Sequence, residues 1–186
     1  MRNIARGTRT TRAGQGEKTM VLKALTAAAV MMIAPLPAAA QKEATVDIGD
    51  IKTVAGLIMQ AGYRAEIKQS KSGGSYIASA ANGSEFSVNF YGCKADTACE
   101  SLEFQSWYKK QPYFTPALTN EWNAKKRFLK IAIDGDGDLV YYVYVSAIGH
   151  TTFKNFADYL DWFTSMDADL AKYLDDKKKA AGGVTK

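Results

Sequence analysis

The sequence predicts an α+β domain, an antiparallel sheet flanked by helices in the order αββββαββα. Three observations lead there. Short segments of period-two alternation follow one another between residues 63 and 108, separated by turn signals. Segments near both ends of the region carry apolar residues at helical spacing. Strands and helices do not alternate regularly, which argues against a parallel βαβ arrangement.

The elements follow in order. Residues 41–45 are a polar lead-in. Asp50 is placed to cap a helix over 51–61, with Ile51, Val54, Ala55 and Ile58 on one face and Gly62 as its stop. Residues 63–69 alternate, and Ser72-Gly73-Gly74 turns the chain into a second strand over 75–80. Asn82-Gly83 is a hairpin signal leading to a third strand over 85–91, where Phe86, Val88 and Phe90 alternate with polar residues. A loop bounded by Cys93 and Cys99 precedes a fourth strand over 101–108. Pro112 and Pro116 break the chain before a short helix over 117–126. Strands over 128–133 and 139–146 flank the Asp134–Asp138 turn. The second is apolar or aromatic on both alternating sets, which predicts burial on both faces. Thr151 is the candidate cap of a last helix over 152–175, striped by Phe153, Phe156, Leu160, Phe163, Leu170 and Leu174. Residues 41–176 read as a single domain, and 177–186 as a disordered tail.

Residues 20–40 read as an address. Lys23 supplies a positive n-region, residues 24–34 an apolar h-region, and Ala38-Ala39-Ala40 a small-x-small cleavage pattern, with the cut after Ala40. The apolar run is too short to span about 30 Å of hydrocarbon, and Pro35 and Pro37 follow it. Residues 1–19 are basic. They are either an extended n-region or a misassigned start, and the completeness of the signal from Met20 favours the latter. The chain has 24 Lys+Arg and 19 Asp+Glu; six and one of these lie in residues 1–40, which leaves 18 of each. The remainder is formally neutral, so the basic balance of the whole chain does not indicate nucleic-acid binding. Export predicts a periplasmic or secreted protein that meets a membrane only in transit.

Cys93 and Cys99 are the only cysteines. In an oxidising compartment the pair reads as a disulfide. Closing so small a ring contributes ~2 kcal/mol by chain entropy. A redox pair would want two intervening residues at a helix N-terminus, and a zinc site would need more than the single His150. Asp134-Gly-Asp136-Gly-Asp138 begins like a calcium loop. However, the positions that should hold Gly and Glu hold Leu139 and Val145, so a hairpin turn is the simpler reading. His150 has no partner set for nucleophilic catalysis and reads as a loop residue. No metal and no cofactor is predicted.

Taken in order, several motifs resemble the YbjN family of bacterial proteins. They are Gly62-Tyr63, the 86–90 strand, Cys93 and Cys99, Ser101-Leu102 with Phe104, Asn120-Glu121-Trp122-Asn123 with Arg127-Phe128, the Asp134–Asp138 turn, and 149–151. The resemblance covers about residues 48–172. It implies a fold like that of type III secretion chaperones and a label of sensory-transduction regulator, with no catalytic residues to carry over. The leader and the two-cysteine loop are features of an exported subset. Asn120 and Asn123 share a helix face at i and i+3. Such amides cap helices or bond a neighbouring strand more often than they bind ligands. Trp122 is expected in the core.

The function predicted is a non-catalytic binding, chaperone-like or regulatory protein of the bacterial envelope, with a protein partner and a possible homodimer. Trp107, Tyr108, Tyr113 and Phe114, around a Pro-containing loop, are the candidate interaction surface. The alternatives are a secreted hydrolase using carboxylates such as Glu100, Glu103 or Asp158, or a binder of a small ligand in an apolar pocket.

Overall fold

The structure is a computed structural model that describes residues 43–71 and 73–182. The N-terminal extension and the leader assigned to residues 1–40, and residues 183–186, lie outside the described residues. Among those described, no helix is long and apolar enough to cross a membrane.

The elements are β1 (Thr45–Val46), α1 (Ile51–Gln60), β2 (Glu66–Gln69), β3 (Ser75–Ala81), β4 (Ser84–Tyr91), β5 (Ser101–Tyr108), α2 (Pro116–Lys125), β6 (Lys130–Ile133), β7 (Leu139–Ser146), β8 (Thr151–Thr152) and α3 (Phe153–Gly182). Six strands form one antiparallel sheet in the order β2-β3-β4-β5-β7-β6. The α+β class and the order of the main elements are as predicted. The addition is a small β1–β8 ribbon that pairs Thr45 with Thr152 and Val46 with Thr151.

Local chemistry explains the boundaries. Asp50 Oδ1 accepts the Thr53 N–H at 2.7 Å and caps α1. Gly62, at φ +92°, turns the chain out of the helix, where the Tyr63 N–H reaches Ile58 O at 3.1 Å. Thr115 Oγ1 accepts the Leu118 N–H, and Pro116 occupies the first turn of α2, so this proline starts a helix rather than only breaking the chain.

One face of the sheet is covered. Ile77, Phe86, Val88, Leu102, Phe104, Tyr141, Val143 and Val145 meet the apolar faces of α1 and α3 and are buried. Phe163 of α3 stands 5.1 Å from the Phe86 ring, 5.7 Å from Phe104 and 6.0 Å from Tyr141. Each such side chain contributes about 1.5–3 kcal/mol when taken out of water.

Three expectations are corrected. First, β7 is interior to the sheet but covered on one face only. Its Leu139, Tyr141, Val143 and Val145 are buried, Val140 and Tyr142 are half-buried, and Tyr144 is exposed. Tyrosine suits a wet sheet face because its hydroxyl stays solvated, so the aromatic pattern did not require a second layer. Second, Thr152 rather than Thr151 caps α3, its Oγ1 accepting the Asn155 N–H at 3.2 Å, while Thr151 is used in the β1–β8 ribbon. Third, residues 177–182 are helical rather than a disordered tail. Lys177 Nζ reaches Glu121 Oε2 on α2 at 2.5 Å, and Lys179 pairs with Asp175 one turn back at 3.2 Å.

Candidate functional site

The face of the sheet opposite α1 and α3 carries no described element. The strand register sets its residues in rows. Tyr76, Asn89, Glu103 and Tyr144 align across β3, β4, β5 and β7. The next row is Ala78, Ser87, Gln105, Tyr142 and Lys130. Alternation along β5 then brings Trp107 to this face at one end, and along β4 brings Tyr91 to it at the other. Trp107, Tyr144 and Tyr91 are 53%, 60% and 44% exposed.

The polar side chains between them are tied to each other. Asn89 Nδ2 donates to Gln105 Oε1 at 3.0 Å. The Tyr91 hydroxyl donates to Glu103 Oε1 at 3.1 Å, and the Tyr91 and Tyr144 rings lie 6.2 Å apart. The Tyr144 hydroxyl and Ser101 Oγ share a 2.5 Å bond. Burial, and then the neighbouring Glu103 carboxylate, push the Tyr91 phenol up to about 12. Burial also raises the Glu103 carboxyl, offset in part by the bond from Tyr91. A groove of about 640 Å³ opens between this face and the β2–β3 turn, lined by Gln69, Lys71, Tyr76, Asn89, Tyr91 and Trp107 among others.

The four aromatics expected to form one surface are divided. Trp107 stands on the open face. Tyr108, its neighbour in the strand, points to the covered face and stacks on Tyr141 at 5.5 Å. Tyr113 and Phe114 meet edge to face at 4.9 Å and are half-buried against the core. Of the four, Trp107 alone stands on the open face: Tyr108 follows it in the strand and faces the other way, and Tyr113 and Phe114 lie in the loop before α2. Tyr76, Tyr91, Tyr142 and Tyr144 join it instead. Their alternation was visible, but which phase of it faced solvent was not.

The family-motif residues build the edge of the sheet. Trp122 is buried, and its Nε1–H bonds Leu129 O at 3.0 Å. Asn123 brackets Ile131 on the edge strand β6: Oδ1 accepts its N–H at 3.0 Å and Nδ2 donates to its carbonyl at 2.9 Å. Asn120 is exposed on α2. Arg127 lies 5.4 Å over the Phe128 ring, which packs on Trp162 of α3 at 4.6 Å. This second partly exposed aromatic pair was not foreseen, since Phe128 read as the start of a strand.

The three candidate carboxylates do not converge. Glu103 is on the open face, and Glu100 is exposed just before β5. Asp158 is on α3 in the helical layer, accepting from Trp162 Nε1 at 3.2 Å. In the hairpin turn, Asp134 Oδ1 accepts the N–H groups of Asp136 and Asp138, while Asp138 bonds Lys109 Nζ and the Lys110 N–H. Those partners hold the Asp138 carboxyl below its usual range. Among the described residues, no group of three or more His, Cys, Asp or Glu is placed to hold a metal ion. His150 is exposed in the loop before β8.

Cys93 and Cys99 are bonded. Within their loop Ala95, Asp96 and Ala98 take positive φ of 49°, 65° and 47°. The loop caps α1: Asp96 O accepts the Ile51 N–H, and the Cys99 N–H bonds Gly49 O. Asp96 Oδ2 accepts from Ser75, whose Oγ also receives Gln69 Nε2.

Fold and site together define an α+β domain with one helix-covered sheet face and one uncovered face bearing aromatic and amide side chains. The chain belongs to the YbjN family, described as "Putative bacterial sensory transduction regulator", which it matches over residues 50–175, from the cap of α1 into α3. None of the curated proteins and none of the solved structures matches it.

Proposed function

We propose that this chain is an exported, non-catalytic binding protein of the bacterial envelope that recognises its ligand through the open face of the sheet. One observation carries the reading. The helices pack on the other face and the β6 edge, while Trp107, Tyr91 and Tyr144 stay accessible around a polar centre. Surface aromatics grouped on one rigid element are what recognition uses. The separation of Glu100, Glu103 and Asp158 supports binding over carboxylate hydrolysis, which needs two acids facing one substrate. The signal-like residues 20–40 and the cysteine pair support export.

Site-specific photocrosslinking in the native host tests this. A crosslinker at Ser87 or Gln105, on the open face, is expected to give discrete adducts; the same group at Lys172, exposed on α3, is not. Adducts from Lys172 alone, or from no position, would sink the reading. Intact mass of the protein from the envelope fraction checks export separately. The expected product begins at Gln41 and lacks two hydrogens at the cysteines.

A further inference from the structure

We infer that the open sheet face is a carbohydrate site that takes a neutral, β-linked glycan strand. The inference rests on the binding reading above and names the class of ligand. Equatorially substituted pyranose rings have apolar C–H faces and a rim of hydroxyls. A site for them needs flat aromatic surfaces interleaved with planar groups that both donate and accept, and the open face holds both. Trp107 and the Tyr91–Tyr144 pair stand at opposite ends of it, and the Asn89–Gln105 pair lies between. In that pair one donor and one acceptor are used internally. The amide inventory leaves an Asn89 carbonyl oxygen and Gln105 amide hydrogens to meet neighbouring hydroxyls. The groove of about 640 Å³ is within the size range of small-molecule sites.

The charge balance selects against other classes. Of the nearby cations, Arg64 is paired with Glu85 at 2.7 Å, Lys68 is paired with Glu66 at 3.2 Å, and Lys130 Nζ is spent on the Asn123 and Lys126 carbonyls; Lys71 lines the groove at the β2–β3 turn, and Glu103 sits at the centre of the face. A polyanion such as nucleic acid requires unpaired Lys and Arg along its track. An extended peptide adding as a strand requires a free sheet edge. The strands that carry these residues are paired on both sides. A neutral, hydroxyl-rich ligand meets neither obstacle.

Calorimetric titration of the purified, oxidised protein with β-1,4-linked N-acetylglucosamine tetramer, β-1,4-glucose tetramer and β-1,3-glucose tetramer decides the matter. The expected result is saturable binding to at least one sugar, little changed by salt. Trp107→Ala and Asn89→Ala each weaken it tenfold or more, and Trp162→Ala, in the helical layer, leaves it unchanged. Melting curves confirm that the variants fold. No binding to any of the three sugars, or binding that neither open-face variant weakens, overturns the inference. If sugars fail while open-face crosslinks still capture a protein or a second copy of the chain, the glycan class falls and the binding face stands. If the crosslinks also map elsewhere, both fall.

Discussion

Asn123 shows how much one side chain can settle. Its amide presents an acceptor and a donor to Ile131 with the spacing of a neighbouring strand, so the outer edge of β6 is closed at that residue. Open edges template pairing with other chains. Asn123→Ala is expected to leave both Ile131 backbone groups bare. It should cost about 1–3 kcal/mol in urea denaturation and raise concentration-dependent scattering. Asn123→Asp keeps the acceptor and loses the donor, so it should fall between. An alanine variant with the parent's midpoint and scattering would refute this role. The i, i+3 spacing of Asn120 and Asn123 told that they share a helix face, but not that β6 passes beside only one of them. The cysteine loop is similar. Its bond was expected from two cysteines behind a signal-like segment, whereas the left-handed Ala95 and Ala98 were not, because alanine does not ask for that conformation and only Asp96 between them tolerates it readily.

At the scale of elements, the end of α3 shows why a sequence pattern stops short. The apolar stripe ends at Leu174, and the following lysines look like a solvated tail. They are helical, and two ties hold them there: Lys177 finds Glu121 on α2, a partner 56 residues away, and Lys179 pairs with Asp175 one turn back. Lys177 first, and then Lys125, hold the Glu121 carboxyl down to about 2, from an ordinary 4.5. A lowered carboxyl contributes stability that is fully present above its unfolded value and is lost as pH falls through the folded one. Amide exchange at residues 177–182 is therefore expected to accelerate as pH falls from about 4.5 towards about 2, after correction for intrinsic rates. In Glu121→Gln the segment should be frayed at neutral pH and insensitive to acid. Unchanged protection in that variant would show that the helix end holds itself. The six strands of the main sheet, by contrast, were legible, since alternation and turn signals are local, whereas the two-residue β1 and β8 carry too little pattern to show.

For the whole molecule, the fold class followed from element order, but the exposed side of the sheet did not. On β7 both alternating sets are apolar or aromatic, and only the placement of α1 and α3 decides between them. One polar tie between those layers is buried. The Tyr141 hydroxyl of β7 donates to Asp167 Oδ1 of α3 at 2.6 Å. Burial pushes the Asp167 carboxyl above its ordinary range, and the bond from Tyr141 pulls it partly back. With the folded value raised, the folded state holds the proton more tightly than the unfolded chain. The ionised carboxylate therefore costs stability above its folded pKa, and the cost is relieved as pH falls through it. Tyr141→Phe removes the offsetting bond and leaves a buried carboxylate with less solvation. It is expected to lose about 1–3 kcal/mol at neutral pH. The deficit should shrink in mild acid, above the range where Glu121 titrates, as Asp167 takes up its proton. Placed in an Asp167→Asn background, the same substitution should show a smaller loss that does not vary with pH. Urea denaturation of the four proteins at the two pH values closes the cycle. A Tyr141→Phe deficit that stays constant with pH while Asp167 is intact would mean that the pair does not couple the sheet to α3 through charge.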